Sequence, residues 1–194
     1  MRIVNSLKNF IKRHSGRPAM LYGYKVPGGK YLPNTRVSNM TYIGSPENLK
    51  IGDYVYIHHF TFIDCSNGMS IGEGCQIGRN TTIATHSSHI PIRLYGRSYI
   101  HQNDMVGYQR APVEIGKYTF LGSNTIIVSG TSIGKGCIVA AFSFVKGKFP
   151  DFSIIAGNPA KIVGSTKDMD KKYLEENPEL LEHYNSWALD NSDQ

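Results

Sequence analysis

The stretch IGKYTFLGSNTIIVSGTSIGKGCIVAAFSFV, residues 115–145, repeats with a period of six residues. An aliphatic residue stands at every sixth position, and a small residue usually follows four positions later. This period fits neither an amphipathic helix nor an alternating strand. It is typical of a hexapeptide solenoid, in which each unit of six forms one short flat side of a coil. The aliphatic positions are Ile115, Leu121, Ile127, Ile133, Val139 and Val145.

The same spacing extends toward the N-terminus, in groups separated by interruptions. Three sides complete one coil, and we expect stacked coils to pair at roughly 4.8 Å, with the aliphatic residues inside. An ordinary sandwich of strands would not keep this register over so many units. The sequence therefore predicts an all-β solenoid, a parallel β-helix. The earlier positions are Val37, Ile43, Ile51, Ile57, Ile63, Ile71, Ile77 and Ile83.

The interruptions all fall at the same place in the coil. Two steps, from Ile43 and from Ile63, are eight residues long, and a long gap separates Ile83 from Ile115. When the positions are grouped in threes, each interruption follows the third side. We therefore expect all of them, including an extruded loop at about residues 87–113, to leave from one corner that serves something other than packing.

Composition limits the class of protein. No apolar run reaches the roughly 20 residues that span a bilayer, and we expect no signal peptide. The three cysteines form no CxxC pair, which favours buried, reduced thiols and a cytoplasmic location. The formal net charge of +6 suggests an anionic partner. Nucleic-acid binding would depend on this charge alone, and we do not expect it.

The repeat, the loop that follows a histidine, and the ending IIAGNPAKIVG at residues 154–164 resemble the hexapeptide-repeat acetyltransferases. This family includes galactoside, maltose, xenobiotic and surface-polysaccharide O-acetyltransferases, and the resemblance covers roughly residues 37–164. It implies a left-handed coil and a homotrimer with active sites between subunits. It also implies acetyl-CoA as the acyl donor and a sugar hydroxyl, in a polysaccharide or its precursor, as the acceptor.

Acetyl transfer to a hydroxyl needs a base, and histidine is the usual one because it exchanges protons near neutral pH. The family's catalytic histidine lies where the extruded loop begins, and His86 is the first histidine there. His89 is the alternative. We favour His86 because it still belongs to a rigid side, whereas His89 lies within the loop.

Acceptor-binding residues are expected around this histidine. Stacking by one coil puts Ser66 beneath His86 with Asp64 nearby, and either side chain or a backbone carbonyl could fix the imidazole tautomer. His58 and Ser66 replace an asparagine and an aspartate of the galactoside enzymes. Arginines and tyrosines of the loop suit an acidic sugar, or they pin the loop by local ion pairs and trimer contacts. The predicted acceptor-binding residues are His58, Asp64, Ser66, Arg93, Tyr95 and Arg97.

By resemblance to the family's pattern, four positions are expected to contact coenzyme A. Ser123 corresponds to a serine at the pantetheine end, and Ala141 to a small residue against which the pantetheine lies. Lys146 and Lys161 supply cations for the phosphates, although Lys146 stands where the galactoside enzymes have threonine. No metal is expected.

The two ends are assigned to separate segments. Residues 1–36 are predicted to form an N-terminal helix and an irregular segment, and residues 165–194 a helical tail after the β-helix of residues 37–164. The helix at residues 2–14 is basic and amphipathic, which favours capping or packing on a neighbour, or weak contact with an anionic membrane surface. Pro178 is expected to start the second helix of the tail.

Three other functions compete with O-acetylation. A solenoid carbonic anhydrase would need three histidine ligands, but His86 and His89 lack the spacing and a third ligand in register. N-acetylation of an amino-sugar nucleotide is the main alternative, because the same scaffold and histidine serve it. A non-enzymatic binding solenoid leaves the histidine-led loop unexplained.

Overall fold

The computed structural model describes residues 8–12 and 16–189. Most strands are short and pair in parallel with strands one coil away. The α-helices after residue 16 are α1 Pro91–Tyr95, α2 Thr166–Glu176 and α3 Leu181–Ala188. The strands are β1 Met20–Lys25, β2 Tyr31–Ser38, β3 Tyr42–Gly44, β4 Leu49–Ile51, β5 Tyr56–Ile57, β6 Phe62–Asp64, β7 Met69–Ile71, β8 Gln76–Ile77, β9 Thr82–Ile83, β10 His86–Ser87, β11 Gln109–Arg110, β12 Val113–Ile115, β13 Phe120–Leu121, β14 Ile126–Ile127, β15 Ser132–Ile133, β16 Ile138–Val139, β17 Phe144–Val145, β18 Lys148–Phe149, β19 Ser153–Gly157 and β20 Ala160–Ser165.

The strands form three long sheets, which are the three sides of the coil. Side 1 has the order β1-β2-β5-β8-β13-β16-β19-β20, side 2 the order β3-β6-β9-β14-β17, and side 3 the order β4-β7-β12-β15-β18. The chain visits sides 1, 2 and 3 in turn and then repeats the circuit. This is a three-sided parallel β-helix, and the predicted solenoid is confirmed.

The six-residue spacing is explained by columns of inward aliphatic side chains. On side 1, Ile57, Ile77, Leu121 and Val139 stack in register, and none of them is exposed to solvent. Burying one such side chain contributes about 1.5–3 kcal/mol. The small residues four positions later turn the corners: the Thr81 hydroxyl, for example, donates to the Gly78 carbonyl at 2.8 Å.

The interruptions leave from one corner, as expected. They lie between β3 and β4, between β6 and β7, and between β9 and β12, which is always the passage from side 2 to side 3. We call this corner 2–3, and the passage from side 1 to side 2 corner 1–2. The last coil has a shorter passage instead, with only four residues from Val145 to Phe149.

The extruded loop begins and ends in a short antiparallel ladder. His86 pairs with Arg110 and Ser87 with Gln109, so β10 and β11 close the base of the loop. The Ala111 amide also donates to the Thr85 carbonyl at 3.1 Å. Helix α1 and a 3-10 helix at Gly96–His101 lie within the loop. The ladder keeps His86 on a fixed strand.

The prediction of an irregular segment before residue 37 is wrong over most of its length. β1 and β2 form an antiparallel pair from Met20↔Ser38 to Lys25↔Tyr31. Pro27, Gly28 and Gly29 lie in the connecting turn at 26–30, Gly23 lies at the register shift, and Pro33 is within β2. Residues 8–12 are helical, and the other positions of the predicted helix at 2–14 lie outside the described residues.

The predicted helical tail is present and packs against the passage from side 3 to side 1. Pro178 starts a 3-10 turn that leads into α3. The Trp187 ring lies 4.7 Å from the Tyr118 ring and 5.8 Å from the Phe152 ring, measured between centroids. Within residues 8–12 and 16–189, no helix has the length and apolarity needed to cross a membrane.

The three cysteines are buried and free, as expected. Burial raises the pKa of the Cys65 thiol to about 12 and that of the Cys137 thiol to about 11. Because a thiolate is the reactive form, these side chains act as small core residues and not as nucleophiles.

Candidate active site

The geometry at corner 2–3 centres on His86. Its Nδ1 atom lies 2.8 Å from Oδ2 of Asp64 and 3.2 Å from the Ser66 hydroxyl oxygen. Asp64 ends β6, whereas His86 begins β10 one coil later, so the stacking of coils brings them together. The His86 side chain is 42% exposed, which leaves the imidazole accessible while one of its edges is held.

The Asp64 carboxylate is enclosed by hydrogen-bond donors. Oδ2 accepts from the Thr85 hydroxyl at 2.6 Å and the Thr85 amide at 3.0 Å, and Oδ1 accepts from the Ser66 amide at 3.0 Å. Burial by itself would raise the pKa of the Asp64 carboxyl, but the bonds from Thr85 and Ser66 hold this pKa well below its usual range. Asp64 is therefore a carboxylate at neutral pH.

An ionised Asp64 determines the tautomer of His86. A carboxylate only accepts hydrogen bonds, so the proton between the two side chains belongs to Nδ1 of His86. In the neutral imidazole, Nε2 then carries a lone pair and is available to take a proton. This is the arrangement that a general base requires.

A stack of rings lies over one face of this imidazole. The Tyr108 ring is nearly parallel to that of His86, with 6.0 Å between centroids, and the Arg110 guanidinium carbon lies 4.3 Å from the Tyr108 centroid. Because Arg110 also pairs with His86 across the ladder, the end of the loop restricts how the imidazole can turn.

The structure brings together His86, Asp64 and Ser66, but places His89 outside this network. Nδ1 of His89 lies 2.8 Å from the Ser87 hydroxyl oxygen, on the loop itself. Its own carbonyl accepts a hydrogen bond from Arg93. His89 thus lacks the buried carboxylate that orients His86.

The other loop residues predicted to bind acceptor have mainly local contacts. Besides the bond from Arg93, the Tyr95 hydroxyl accepts the Val106 amide at 2.9 Å and braces the loop. Arg97 is exposed in the 3-10 segment. Their binding roles stay predictions.

The residues expected to meet coenzyme A lie elsewhere on the coil. Ser123 follows β13 and Ala141 follows β16, so both stand at corner 1–2, one coil apart. Gly122 lets these coils approach closely, because a Cβ atom there would lie 2.4 Å from the Ala141 nitrogen. Lys146 is exposed at corner 2–3, and Lys161 is exposed on β20, opposite Ala156.

Sequence reasoning missed Arg79, which also stands at corner 1–2. β8 pairs with β13 so that Ile77 meets Leu121, which places Arg79 one coil from Ser123. His58 lies on the neighbouring coil, and its pKa is lowered by burial and by the charges of His59 and Arg79. Counting back along the sequence from Ser123, by one coil and the length of the extruded loop, would have pointed to Arg79.

Within one chain, side 2 separates His86 at corner 2–3 from Ser123 at corner 1–2. Its outer face is mostly apolar: Tyr42, Phe62 and Ile126 are 60%, 44% and 44% exposed, and the first two rings stack with centroids 5.1 Å apart. The outer face of side 3 is polar instead, and carries Lys50, Ser70, Glu114, Ser132 and Lys148.

Known proteins show the same repeat. The family described as Bacterial transferase hexapeptide (six repeats) matches residues 112–147. A Saccharomyces cerevisiae protein named putative acetyltransferase is 30% identical over 144 residues, which are 73% of this chain and 68% of that protein. The chain belongs to the hexapeptide-repeat acetyltransferase family.

Two further similar proteins are informative. An Escherichia coli protein named putative lipopolysaccharide biosynthesis O-acetyl transferase is 33% identical over 126 residues, covering 60% of this chain and 57% of that protein. The solved structure of a galactoside acetyltransferase in complex with coenzyme A is 25% identical, with a TM-score of 0.56 and coverage of 68% and 62%. The chain spans about half the length of several curated relatives that it matches.

The described residues form no cluster of the kind that a zinc enzyme needs. Over 8–12 and 16–189, no three side chains among His, Cys, Asp and Glu lie together as metal ligands would.

Proposed function

We propose that this chain transfers the acetyl group of acetyl-CoA to a sugar hydroxyl, with His86 as the general base. The observation that carries the proposal is the Asp64–His86 pair, at 2.8 Å, on the coil from which the loop is extruded. A buried carboxylate on Nδ1 and an accessible Nε2 are what proton abstraction from a hydroxyl requires.

The reaction follows from these groups. Nε2 of His86 takes the proton of the acceptor hydroxyl as its oxygen attacks the thioester carbonyl carbon. The carbon–sulfur bond then breaks, and the leaving thiolate takes the proton from the imidazolium to give free coenzyme A. Backbone amides or the Ser123 hydroxyl stabilise the oxyanion formed between these steps. Asp64 acts by positioning His86 and stabilising its charged form, and not by contacting the acceptor.

The donor site is assigned to corner 1–2. The small Ala141 side chain leaves room there for a slender pantetheine arm, and Ser123 lies one coil nearer to the acceptor end. Lys146 and Lys161 are exposed cations on the last turns, where they suit the phosphates. The galactoside acetyltransferase crystallised with coenzyme A, whose fold this chain shares, supports this donor.

The active unit is proposed to be a homotrimer of left-handed coils. If side 2 of each copy faces the threefold axis, its two edges meet different neighbours. Corner 2–3 of one copy, with His86, then meets corner 1–2 of the next, with Ser123. The apolar outer residues of side 2, Phe62 and Ile126 among them, support this packing because it removes them from water.

O-acetylation is preferred over N-acetylation because a relative is named for lipopolysaccharide O-acetylation and another structure for galactoside acetylation. The acceptor is accordingly proposed to be a sugar of a surface polysaccharide or its precursor, and the location cytoplasmic. His58, Ser66, Arg93, Tyr95 and Arg97 are proposed as acceptor contacts.

The test is turnover of acetyl-CoA, followed as release of free thiol, with hydroxyl sugars and amino sugars in parallel. We expect coenzyme A to bind and thiol release to depend on a hydroxyl sugar, with an O-acetyl product by mass spectrometry. Turnover of amino sugars alone would favour N-acetylation. No binding of coenzyme A would favour a non-enzymatic solenoid.

A further inference from the structure

A column of four side chains runs along corner 1–2, one from each coil. The pairing of β5, β8, β13 and β16 aligns His59, Arg79, Ser123 and Ala141 in this order. The turn bonds repeat with them, because the Asn124 amide donates to the Arg79 carbonyl at 2.9 Å and the Phe142 amide to the Ser123 carbonyl at 3.1 Å. Arg79 thus occupies the position of Ser123 one coil away, on the side opposite Ala141.

The backbone around Arg79 is held in place. Asn80, the next residue, has a φ of 56° in the left-handed region, and its side-chain amide donates to Asn124 at 3.2 Å. The guanidinium itself is exposed, and no carboxylate of the described residues lies within ion-pair distance of it. The Cα of Arg79 is therefore fixed. Its guanidinium is permanently charged and presents its hydrogen-bond donors to solvent.

Two histidines, His58 and His59, lie beside Arg79 on the neighbouring coil. Burial lowers the pKa of His58, and the charges of His59 and of the nearby Arg79 guanidinium lower it further, so the neutral imidazole is favoured. His59 is itself occupied, with Nδ1 at 2.7 Å from the Ser38 hydroxyl oxygen. Arg79 is consequently the permanent cation of this part of the corner, and its natural ligand is an anion.

Arg79 lies close to the place where the acetyl group would be transferred, and this step rests on the proposed function. We take the pantetheine to pass Ala141 and to end in its thioester at Ser123. The next coil in this direction, which carries Arg79, then lies beside the group beyond the acetyl group. Coils are about 4.8 Å apart, so an arginine side chain there reaches a substituent several bonds from the attacked carbon. That substituent belongs to the acceptor.

We propose that Arg79 binds an anionic group of the acceptor, a carboxylate or a phosphate, and so selects acidic sugars over neutral ones. Arginine suits both groups because its planar fork donates two parallel hydrogen bonds to them. Two of the three loop arginines are placed less well for this task, because Arg93 bonds the His89 carbonyl and Arg110 lies over Tyr108.

The experiment compares acceptors that differ only at C6. Galactose, galacturonate and galactose 6-phosphate are tested, and likewise glucose, glucuronate and glucose 6-phosphate, with thiol release from acetyl-CoA as the readout. We expect kcat/KM to be about 10- to 100-fold higher for the carboxylate or the phosphate series than for the neutral sugars, which is the value of a charge-assisted hydrogen bond. The two charged series distinguish the two anions.

Variants then test whether the Arg79 side chain causes the preference for charged acceptors. Arg79→Gln should remove the preference by raising KM for the charged acceptor, with the rate for neutral sugars unchanged, and Arg79→Lys should restore part of it. Lys50→Gln, which removes a cation from the outer face of side 3, is the charge-matched control and should keep the preference.

Equal loss on charged and neutral acceptors in Arg79→Gln would overturn the inference, since it indicates stabilisation of the oxyanion instead. Wild-type turnover without charge preference would overturn it too. Failure of the proposed function is distinguishable, because it removes coenzyme A binding and all turnover.

Discussion

Replacing Asp64 with asparagine removes one negative charge and keeps nearly the same shape. In the structure, Oδ2 faces three donors, two from Thr85 and one from His86, whereas Oδ1 faces only the Ser66 amide. The asparagine oxygen should therefore take the position of Oδ2, and its NH₂ group should face Ser66. His86 then keeps its acceptor and its tautomer, but loses the charge that stabilises the imidazolium.

The size of the effect follows from this geometry. A hydrogen bond to a charged partner contributes about 1.5–3 kcal/mol, against about 1 kcal/mol for a neutral one. A loss of about 1–2 kcal/mol from the transition state lowers kcat by roughly 5- to 30-fold. This is well below the roughly 10²–10⁴-fold expected when the base itself is removed.

The assay is steady-state thiol release at saturating acetyl-CoA, with the KM for acetyl-CoA and the thermal unfolding midpoint measured on the same preparation. Asp64→Asn should lower kcat, leave this KM unchanged, and lower the midpoint slightly because the Ser66 amide loses its acceptor. Ser66→Ala is the control, since its hydroxyl lies 3.2 Å from the same nitrogen and should matter less. An unchanged kcat in Asp64→Asn, or an equal loss in Ser66→Ala, would refute the reasoning.

Lys146→Glu and Lys161→Glu should each raise the KM for acetyl-CoA and sharpen its dependence on salt, because an exposed cation is replaced by a charge that repels the phosphates. An unchanged KM in both variants would remove these lysines from the donor site. Ile127→Ala should lower the free energy of unfolding by about 2–5 kcal/mol in a denaturant titration, because this side chain is fully buried. Ile126→Glu, one residue earlier on the outer face of side 2, should instead keep the circular dichroism spectrum and abolish association in sedimentation. A stable trimer of Ile126→Glu would contradict the proposed packing.

Much of the fold is predictable because its core is periodic. Each inward position, such as Ile77 or Leu121, has the same environment as the position one coil away, so a single spacing predicts all of them. The corner with the interruptions follows from the same counting. The helical tail was also predictable in part, since Pro178 is a local signal for the start of a helix.

The site was predictable only in part. Counting coils brought Asp64 and Ser66 near His86, but which side chain reaches the imidazole depends on the backbone of the turn after β6. The hairpin of β1 and β2 was missed because Gly23 and its neighbours fall at a register shift, where composition suggests irregular structure. Arg79 was missed because the extruded loop lies between it and Ser123 in the sequence, so the regular spacing does not show that the two positions align.

The most direct test of the account is the comparison of His86→Ala with His89→Ala in acetyl-CoA turnover. Only His86 is joined to the buried Asp64 carboxylate, whereas His89 contacts Ser87 on the loop. His86→Ala should lower kcat by about 10²–10⁴-fold, with binding of acetyl-CoA and association of the subunits retained. His89→Ala should change kcat by a few-fold at most. Near-normal turnover in His86→Ala together with an inactive His89→Ala would contradict the assignment of the base.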